Sequence, residues 1–504
     1  MRTNYFTKIC VVLLAVPALY ACKKSWLDVD PVGLNLESNY YSNPTEAFAG
    51  LVAAYDPLGM ETAGTYANKL GPLNSASDDC VAGGAQGGND MNTWQVWNNY
   101  TLTPAVGPQM EYWTRNFTGI SRANIILAKI DNVPGLSDAL KTRYTAEGKF
   151  LRAYYYFDLV RLFKNVPLFT APLPTEEIYN QEQADPAAVF AQIEKDLKEA
   201  IPALPPTVPV ATEGGRATQG AAKALLGKVI LWQNDNSRMM EAANLFEDVN
   251  KPGNAYGYSL VPNFADIFRP DRKFNSESIF EISHTAAANG SWNNWGGVEG
   301  NVYTQMIGPR AYSGQIYETG WGFNPVRKEL RDLMYGDPRY QYTIADIDSM
   351  VTAGAATSYE ASYQNTGYFI QKFAPLKQWK STGGGNVELN YLNNVMEIRL
   401  ADTYLMEAEC LLRAPGGDAV KAAGYLNAVR ARVGLGPVSA TLDNVALERR
   451  KELATEGHRW FDLVRTGKAA TALASKGFQA GKHEILPIPL NELTNTKLKQ
   501  NPGY

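Results

Sequence analysis

The sequence predicts a mainly α protein built from helical hairpins of the tetratricopeptide type, with an irregular, loop-rich ligand-binding face set into it. Three observations carry this. Apolar residues recur at three- and four-residue spacing in one segment after another. Alanines stand where paired helices would cross, and Pro- and Gly-bearing turns separate the pairs. Between residues 255 and 392 the Ala- and Leu-rich pattern gives way to Gly, Asn, Tyr and Trp.

Asn43 is a plausible cap with Pro44 at the first helical position, and Ala47, Leu51, Ala54 and Tyr55 then repeat with helical spacing. Residues 74–108, rich in Gly, Asn and Asp, read as a long loop. Residues 111–130 read as one helix with Trp113, Phe117, Ile120, Ala123, Asn124 and Leu127 on a face, ended by a break at 131–135. In 141–163 small residues sit beside large ones (Ala146, Phe150, Ala153, Tyr154, Phe157, Leu159), which suits closely packed helix pairs. Segments 187–200 and 218–232 continue the pattern. Residues 395–413 and 418–433 flank Pro415-Gly416-Gly417, a helical hairpin by pattern and by turn chemistry. Repeated hairpins of this kind bury each face against the next. Strand signals are brief, at 278–282 and 368–370.

Ahead of this scaffold, Arg2 and Lys8 precede an apolar run at 9–19. The pattern is that of a signal peptide, residues 1–21. The run is too short for a bilayer, which takes about 20 apolar residues. It ends in Leu19-Tyr20-Ala21-Cys22, read as a bacterial lipobox in which Cys22 is lipidated. Several acyl chains on one residue anchor a domain stably at a membrane surface. The remainder divides into an N-terminal region, 22–254, with helical hairpins, and a C-terminal region, 255–504, with the loop-rich insert and closing hairpins.

Of four cysteines, only Cys80 and Cys410 remain for disulfide or metal chemistry, and two distant thiols make no framework. Cys410 falls in an apolar helical pattern and reads as core, Cys80 as a loop residue open to solvent. With three histidines dispersed along the chain, no zinc cluster is expected. The 47 basic and 51 acidic residues become 45 and 51 after signal removal, a balance that argues against nucleic acid as a partner.

The cluster 448–465 offers Glu452, Glu456, His458 and Asp462, but reads as structure. The i,i+3 pairs Arg449–Glu452, Glu456–Arg459 and Asp462–Arg465 would brace a helix. Arg152, entering an Ala-rich face, is expected to bond a carboxylate or helix end. Gly83-Gly84-Ala85-Gln86-Gly87-Gly88 lacks the Lys-Ser/Thr ending of a phosphate cradle and reads as a flexible loop able to close over the helical platform. Asp78-Asp79 reads as a solvated turn rather than a calcium site. No catalytic residue, metal or cofactor is assigned.

Sugar recognition asks for aromatic planes under the C–H faces of pyranose rings, with amides, carboxylates and guanidinium forks for the hydroxyls. Two regions offer both. One holds Asp78, Asn89, Asp90, Asn92, Trp94, Trp97 and Asn98; the other holds Trp292, Asn293, Asn294, Trp295, Tyr303, Arg310, Tyr312 and Trp321. Trp113 and Trp460, on helices, read as core.

A set of spaced motifs runs the length of the chain. It begins with Trp26-Leu27-Asp28-Val29-Asp30-Pro31 behind the lipid cysteine and the helix Trp113 to Asn124. Phe150-Leu151-Arg152-Ala153 with Val166-Pro167-Leu168 follows, then Glu448 to Leu453 and Glu456 to Leu463. Leu486-Pro487-Ile488-Pro489 and Gln500-Asn501-Pro502-Gly503-Tyr504 complete the set. In these motifs the chain resembles the SusD/RagB family of outer-membrane nutrient-binding lipoproteins from end to end. The resemblance implies four tetratricopeptide-like pairs, a variable ligand face, and docking as a lid over a TonB-dependent transporter. It implies a glycan ligand in the better-known members and peptides in some relatives. Lys23-Lys24-Ser25 departs from the acidic residues that surface-exported members often carry there, so the membrane leaflet stays open. The expected function is a lipid-anchored outer-membrane protein that binds oligosaccharides for uptake and is not an enzyme. A peptide-binding member of the same class, or a lipid-anchored glycoside hydrolase, are the alternatives.

Overall fold

The N-terminal helix α1 (Pro44–Tyr55) starts as its sequence dictates: the Asn43 side chain accepts the Glu46 N–H, and Pro44 fills the first turn, where no hydrogen bond is lost. The computed structural model describes residues 41–59, 68–293 and 298–504. The signal segment, Cys22, Asn294 and Trp295 lie outside the described residues.

After α2 (Leu70–Ala76) and α3 (Asn92–Asn98) comes the layered scaffold: α4 (Gln109–Lys129), α5 (Asp138–Phe163), α6 (Pro186–Ala200), α7 (Gln219–Trp232) and α8 (Met239–Asn250). Helix α1 packs on α4, and from α4 onward each helix packs on the next. The array then skips the loop-rich insert and continues with α10 (Leu400–Arg413) on α8 and α11 (Ala419–Arg432) on α10. Close approach follows from the small residues: Ala153 on α5 and Ala221, Ala222 and Ala224 on α7 are fully buried. Arg152 finds the expected carboxylate, bonding Asp196 through Nε and Nη2 at 2.8 and 2.7 Å, while its Nη1 donates to Asn124 and to the Thr170 carbonyl.

The insert holds α9 (Val302–Ile307) and three two-stranded antiparallel pairs. Strand β1 (Ser278–Ile282) pairs with β6 (Val395–Arg399), β2 (Ser313–Gly314) with β4 (Ala356–Ser358), and β3 (Ile344–Asp346) with β5 (Tyr368–Ile370). The β1–β6 ribbon sets Phe280 opposite Ile398 and joins the two ends of the insert at the scaffold.

Helices α12 (Leu442–Glu452) and α13 (Arg459–Arg465) enclose a buried ionic network. Glu452 accepts from Arg339 Nη1 at 2.8 Å and Arg399 Nη1 at 2.7 Å, and also pairs with Arg432. Glu456 takes Arg399 Nε at 2.8 Å and Lys372 Nζ at 2.6 Å, and Arg399 reaches Glu277 at 2.7 Å. All are nearly inaccessible to water, where an unpaired charge is very costly.

Of the three i,i+3 pairs expected in this region, Asp462–Arg465 forms at 2.8 Å. Arg449 instead pairs with Asp402 at 2.7 Å and Asp462 at 3.1 Å, and Arg459 with Asp78 at 2.7 Å. The cause is burial: other elements, 13 and 47 positions away for Arg449 and 381 for Arg459, bring counter-charges closer than the local ones. Cys80, expected in the open, is buried, as is Cys410.

The long loop expected over 74–108 contains the end of α2 and all of α3. Asn-rich spelling masked a helix held by tertiary packing, which overrides propensity over so short a length.

Candidate functional site

The segment that follows α9 doubles back on it. Trp321 N–H donates to the Gln305 carbonyl at 3.1 Å, Gly322 N–H to Gly308 at 2.9 Å, and Phe323 N–H to Met306 at 2.8 Å. The two passes come so close that a Cβ on Gly320 would lie 2.2 Å from the Cα of Gly308. Only glycine fits at that crossing. Trp321 is thereby presented half-buried from a rigid, doubly anchored backbone.

Trp292 meets it from another loop. Its ring centroid lies 6.1 Å from that of Trp321, with 30° between the planes. Trp292 N–H donates to the Asn386 side chain at 3.2 Å, and Asn390 exchanges two hydrogen bonds with the backbone of Gly290 at 3.0 and 2.8 Å. The loops around 290 and 386 are thus clasped together.

A groove of about 590 Å³ opens beside Trp321, lined further by Arg310, Glu318, Glu360, Lys380, Asn386, Glu388 and Tyr391. Arg310 Nε bonds Glu360 at 3.4 Å, and Lys380 pairs with Glu318 at 3.1 Å. Tyr391 donates to the Gln305 side chain at 3.1 Å, and burial, with Glu318 and Glu388 nearby, raises its phenol well above the ordinary range. Indole planes beside amides, carboxylates and a guanidinium make up the donor and acceptor set that a polyhydroxylated chain needs.

Of the expected set, the structure brings together Trp292, Arg310 and Trp321 and buries Trp94, Trp97, Asn98, Tyr303 and Tyr312, while Trp295 lies outside the described residues. Trp94 and Trp97 are fully buried and cannot face a ligand. Trp94 sits against Gly71, where a Cβ would approach its ring to 2.0 Å, and edge-on to Phe323 at 5.2 Å. Trp97 packs edge-on to Trp460 at 5.3 Å, itself buried as expected. Asn98 is buried with its amide donating to Asn99. Tyr303 is fully buried, its hydroxyl donating to Asn324 at 3.0 Å, and Tyr312 is buried edge-on to Tyr317 at 5.4 Å. Asp78 is held bidentately by Arg459 at 2.7 and 2.9 Å and by Arg450 at 3.0 Å. Burial alone would raise the Asp78 carboxyl, but these two guanidinium groups keep it below its ordinary range. Asp79 beside it is buried, so the pair is no solvated turn. Trp94 and Tyr303 still matter, because they hold residues 323 and 324 from behind the groove.

The Gly-rich loop is stitched down rather than poised to close. Gly84 N–H donates to the Gly322 carbonyl at 2.9 Å, and the Gly84 carbonyl accepts from Tyr363 at 2.9 Å. Asn386, Glu318, Glu360, Lys380 and Glu388 were not singled out in the sequence; nothing local marks them, since long-range loop pairing alone assembles them.

Other cavities exist among the described residues. One, about 440 Å³, lies by Phe48, Val52 and Tyr55; another, about 610 Å³, lies by Trp113, Phe117 and Phe169. Neither joins a tryptophan pair to a ring of amides and charges. Among the described residues no group of three or more His, Cys, Asp or Glu could hold a metal, and no helix is long and apolar enough to cross a membrane.

Two family models match the chain: one described as the SusD family over residues 309–504, and one described as starch-binding associating with outer membrane over 47–231. A solved structure of a laminarin-binding SusD-like protein is 48% identical, covers 92% of this chain and 100% of its own, and superposes with a TM-score of 0.87. The surface glycan-binding protein A of Bacteroides thetaiotaomicron, solved with laminarihexaose, is 29% identical over 91% of this chain and 99% of its own, with a TM-score of 0.82. SusD-like protein P25 of Formosa agariphila is 26% identical over 96% of each chain.

Proposed function

The chain belongs to the SusD family, and from that premise we propose that it is a lipid-anchored outer-membrane binding protein that captures oligosaccharides for a partner TonB-dependent transporter. The observation that carries this reading is the Trp292–Trp321 pair, 6.1 Å apart, beside a groove of amides and charges. Pyranose rings would lie on the indoles while Arg310, Asn386 and Glu360 meet the hydroxyls. The relatives named for laminarin and laminarihexaose support a glycan as ligand.

Binding is without turnover. The relatives carry binding names, and the groove carboxylates Glu318 and Glu360 are engaged by Lys380 and Arg310. A modest affinity, set by stacking and exchangeable hydrogen bonds, suits a protein that passes its ligand onward. Anchoring through Cys22 rests on the Leu19-Tyr20-Ala21-Cys22 lipobox, and an outer-membrane location on that together with the family description.

The test is a glycan and peptide binding panel with product analysis. Retention of an intact oligosaccharide, lost in Trp292→Ala and Trp321→Ala, is expected. Cleavage products abolished by a carboxylate substitution, or binding of peptides alone, would overturn the reading. Cys22→Ser should move the protein from the membrane to the soluble fraction. Crosslinking in intact membranes should join the chain to a β-barrel transporter, and its absence would remove the partner.

A further inference from the structure

Cations in a sugar-binding groove ordinarily point to an acidic ligand, because guanidinium and ammonium groups pair with carboxylate and sulfate. In this groove the two cations are already taken. Arg310 is bound to Glu360 through its side chain at 3.4 Å, and the Glu360 N–H donates to the Arg310 carbonyl at 2.8 Å, so the two residues are held face to face by the backbone as well. Lys380 is bound to Glu318 at 3.1 Å. Their segments are tied likewise, with the Glu318 N–H on the Pro375 carbonyl at 2.8 Å and the Lys377 N–H on the Ile316 carbonyl at 2.9 Å. A third carboxylate, Glu388, lines the same groove and is paired with no cation among the described residues.

The balance is therefore two positive charges against three negative, within a chain that carries a net charge of −4. Glu388 stands two residues from Asn386, whose side chain clasps the Trp292 backbone, so the uncompensated charge lies beside the indole pair and not at a remote rim. An anionic residue stacked there would have to pull a cation from its own carboxylate or sit against Glu388. Hydroxyl groups face neither cost. They accept from the Arg310 N–H groups outside its bond to Glu360, and donate to carboxylate oxygens that an anion could not use.

We propose that this groove selects uncharged oligosaccharides and rejects those bearing uronate or sulfate groups, with Glu388 as the residue that sets the discrimination. The inference rests on the groove being the glycan site, as argued above, and concerns only the charge class of the ligand admitted there.

The experiment compares one backbone in two charge states. The neutral glycan that binds best in the panel, laminarin being the first probe, is measured by calorimetry against its own partially sulfated derivative at low and at high salt. The derivative is expected to bind at least tenfold more weakly at low salt, with the gap shrinking as salt screens the repulsion. Glu388→Gln should narrow the ratio severalfold, and Glu388→Lys should bring the two forms to near equality. Equal binding of both forms by the wild-type chain, lost alike in Trp321→Ala, overturns this inference and leaves the glycan site standing. So does a panel in which only charged glycans bind. Failure of every glycan to bind, or binding indifferent to Trp321→Ala, sinks the site assignment instead.

Discussion

Trp292 and Trp321, 29 positions apart in sequence, lie with ring centroids 6.1 Å apart and planes inclined by 30°, each delivered by a loop that is hydrogen-bonded to another part of the insert. Truncating either indole removes a stacking surface from the pair beside the groove. Each of Trp292→Ala and Trp321→Ala should weaken oligosaccharide binding by about 2 kcal/mol, roughly thirtyfold, as for an aromatic anchor. Calorimetric titration checks this, with the urea midpoint as a control for folding.

Trp97→Ala makes the opposite case. This side chain is fully buried against Trp460 and Tyr112, so its removal should cost about 3–5 kcal/mol of stability through the cavity it leaves. Glycan affinity measured on the folded fraction should be unchanged; a direct loss of affinity at full stability would return Trp97 to the ligand.

Gly320→Ala tests the crossing beneath the platform. A Cβ 2.2 Å from the Gly308 Cα forces the two backbone passes apart, with about 1–3 kcal/mol of destabilisation and displacement of Trp321. Both stability and affinity should fall. Loss of neither would mean that the crossing is looser than the structure has it.

Glu452→Ala should cost about 3–5 kcal/mol, because Arg339, Arg399 and Arg432 would remain in the interior with a counter-charge removed. Chemical denaturation reads this directly, and a surface-like loss below 1 kcal/mol would show that water reaches the network.

For pH, His284 gives a clean sign. Burial, with Lys273 nearby, pushes its imidazole down from about 6.5 to about 3 in the folded chain. Below pH 6.5 the unfolded chain takes up a proton that the folded chain refuses, so stability falls as pH falls from there toward 3. In His284→Gln that proton is gone. Between pH 6 and 4 the variant's stability should decline less steeply than the wild type's, by up to about 1.4 kcal/mol per pH unit. Parallel slopes would place His284 in contact with solvent.

The scaffold was legible because its signals are local. The 3.6-residue rhythm of α4, α5 and α7, and the Pro415-Gly416-Gly417 turn between α10 and α11, need no distant partner to be read. Trp94 was misread because its fate depends on Gly71 and Phe323, which no spacing rule connects to it. Glu452 was matched to Arg449 because that arginine is near in sequence, whereas the arginines that bind it come from positions 339, 399 and 432. The groove shared both fates. Its tryptophans and Arg310 stand out by composition, while Asn386, Lys380 and Glu388 are ordinary loop residues until the fold places them at Trp321.

The Glu452–Glu456 network also constrains how the chain is made. Arg339, Lys372 and Arg399 leave the ribosome well before residues 452 and 456, so Lys372 waits for its Glu456, and the two arginines hold only part of their carboxylates, Asp337 and Glu277, until then. The ion pairs that tie the loop-rich insert to the chain's end can therefore close only once that late segment has been made.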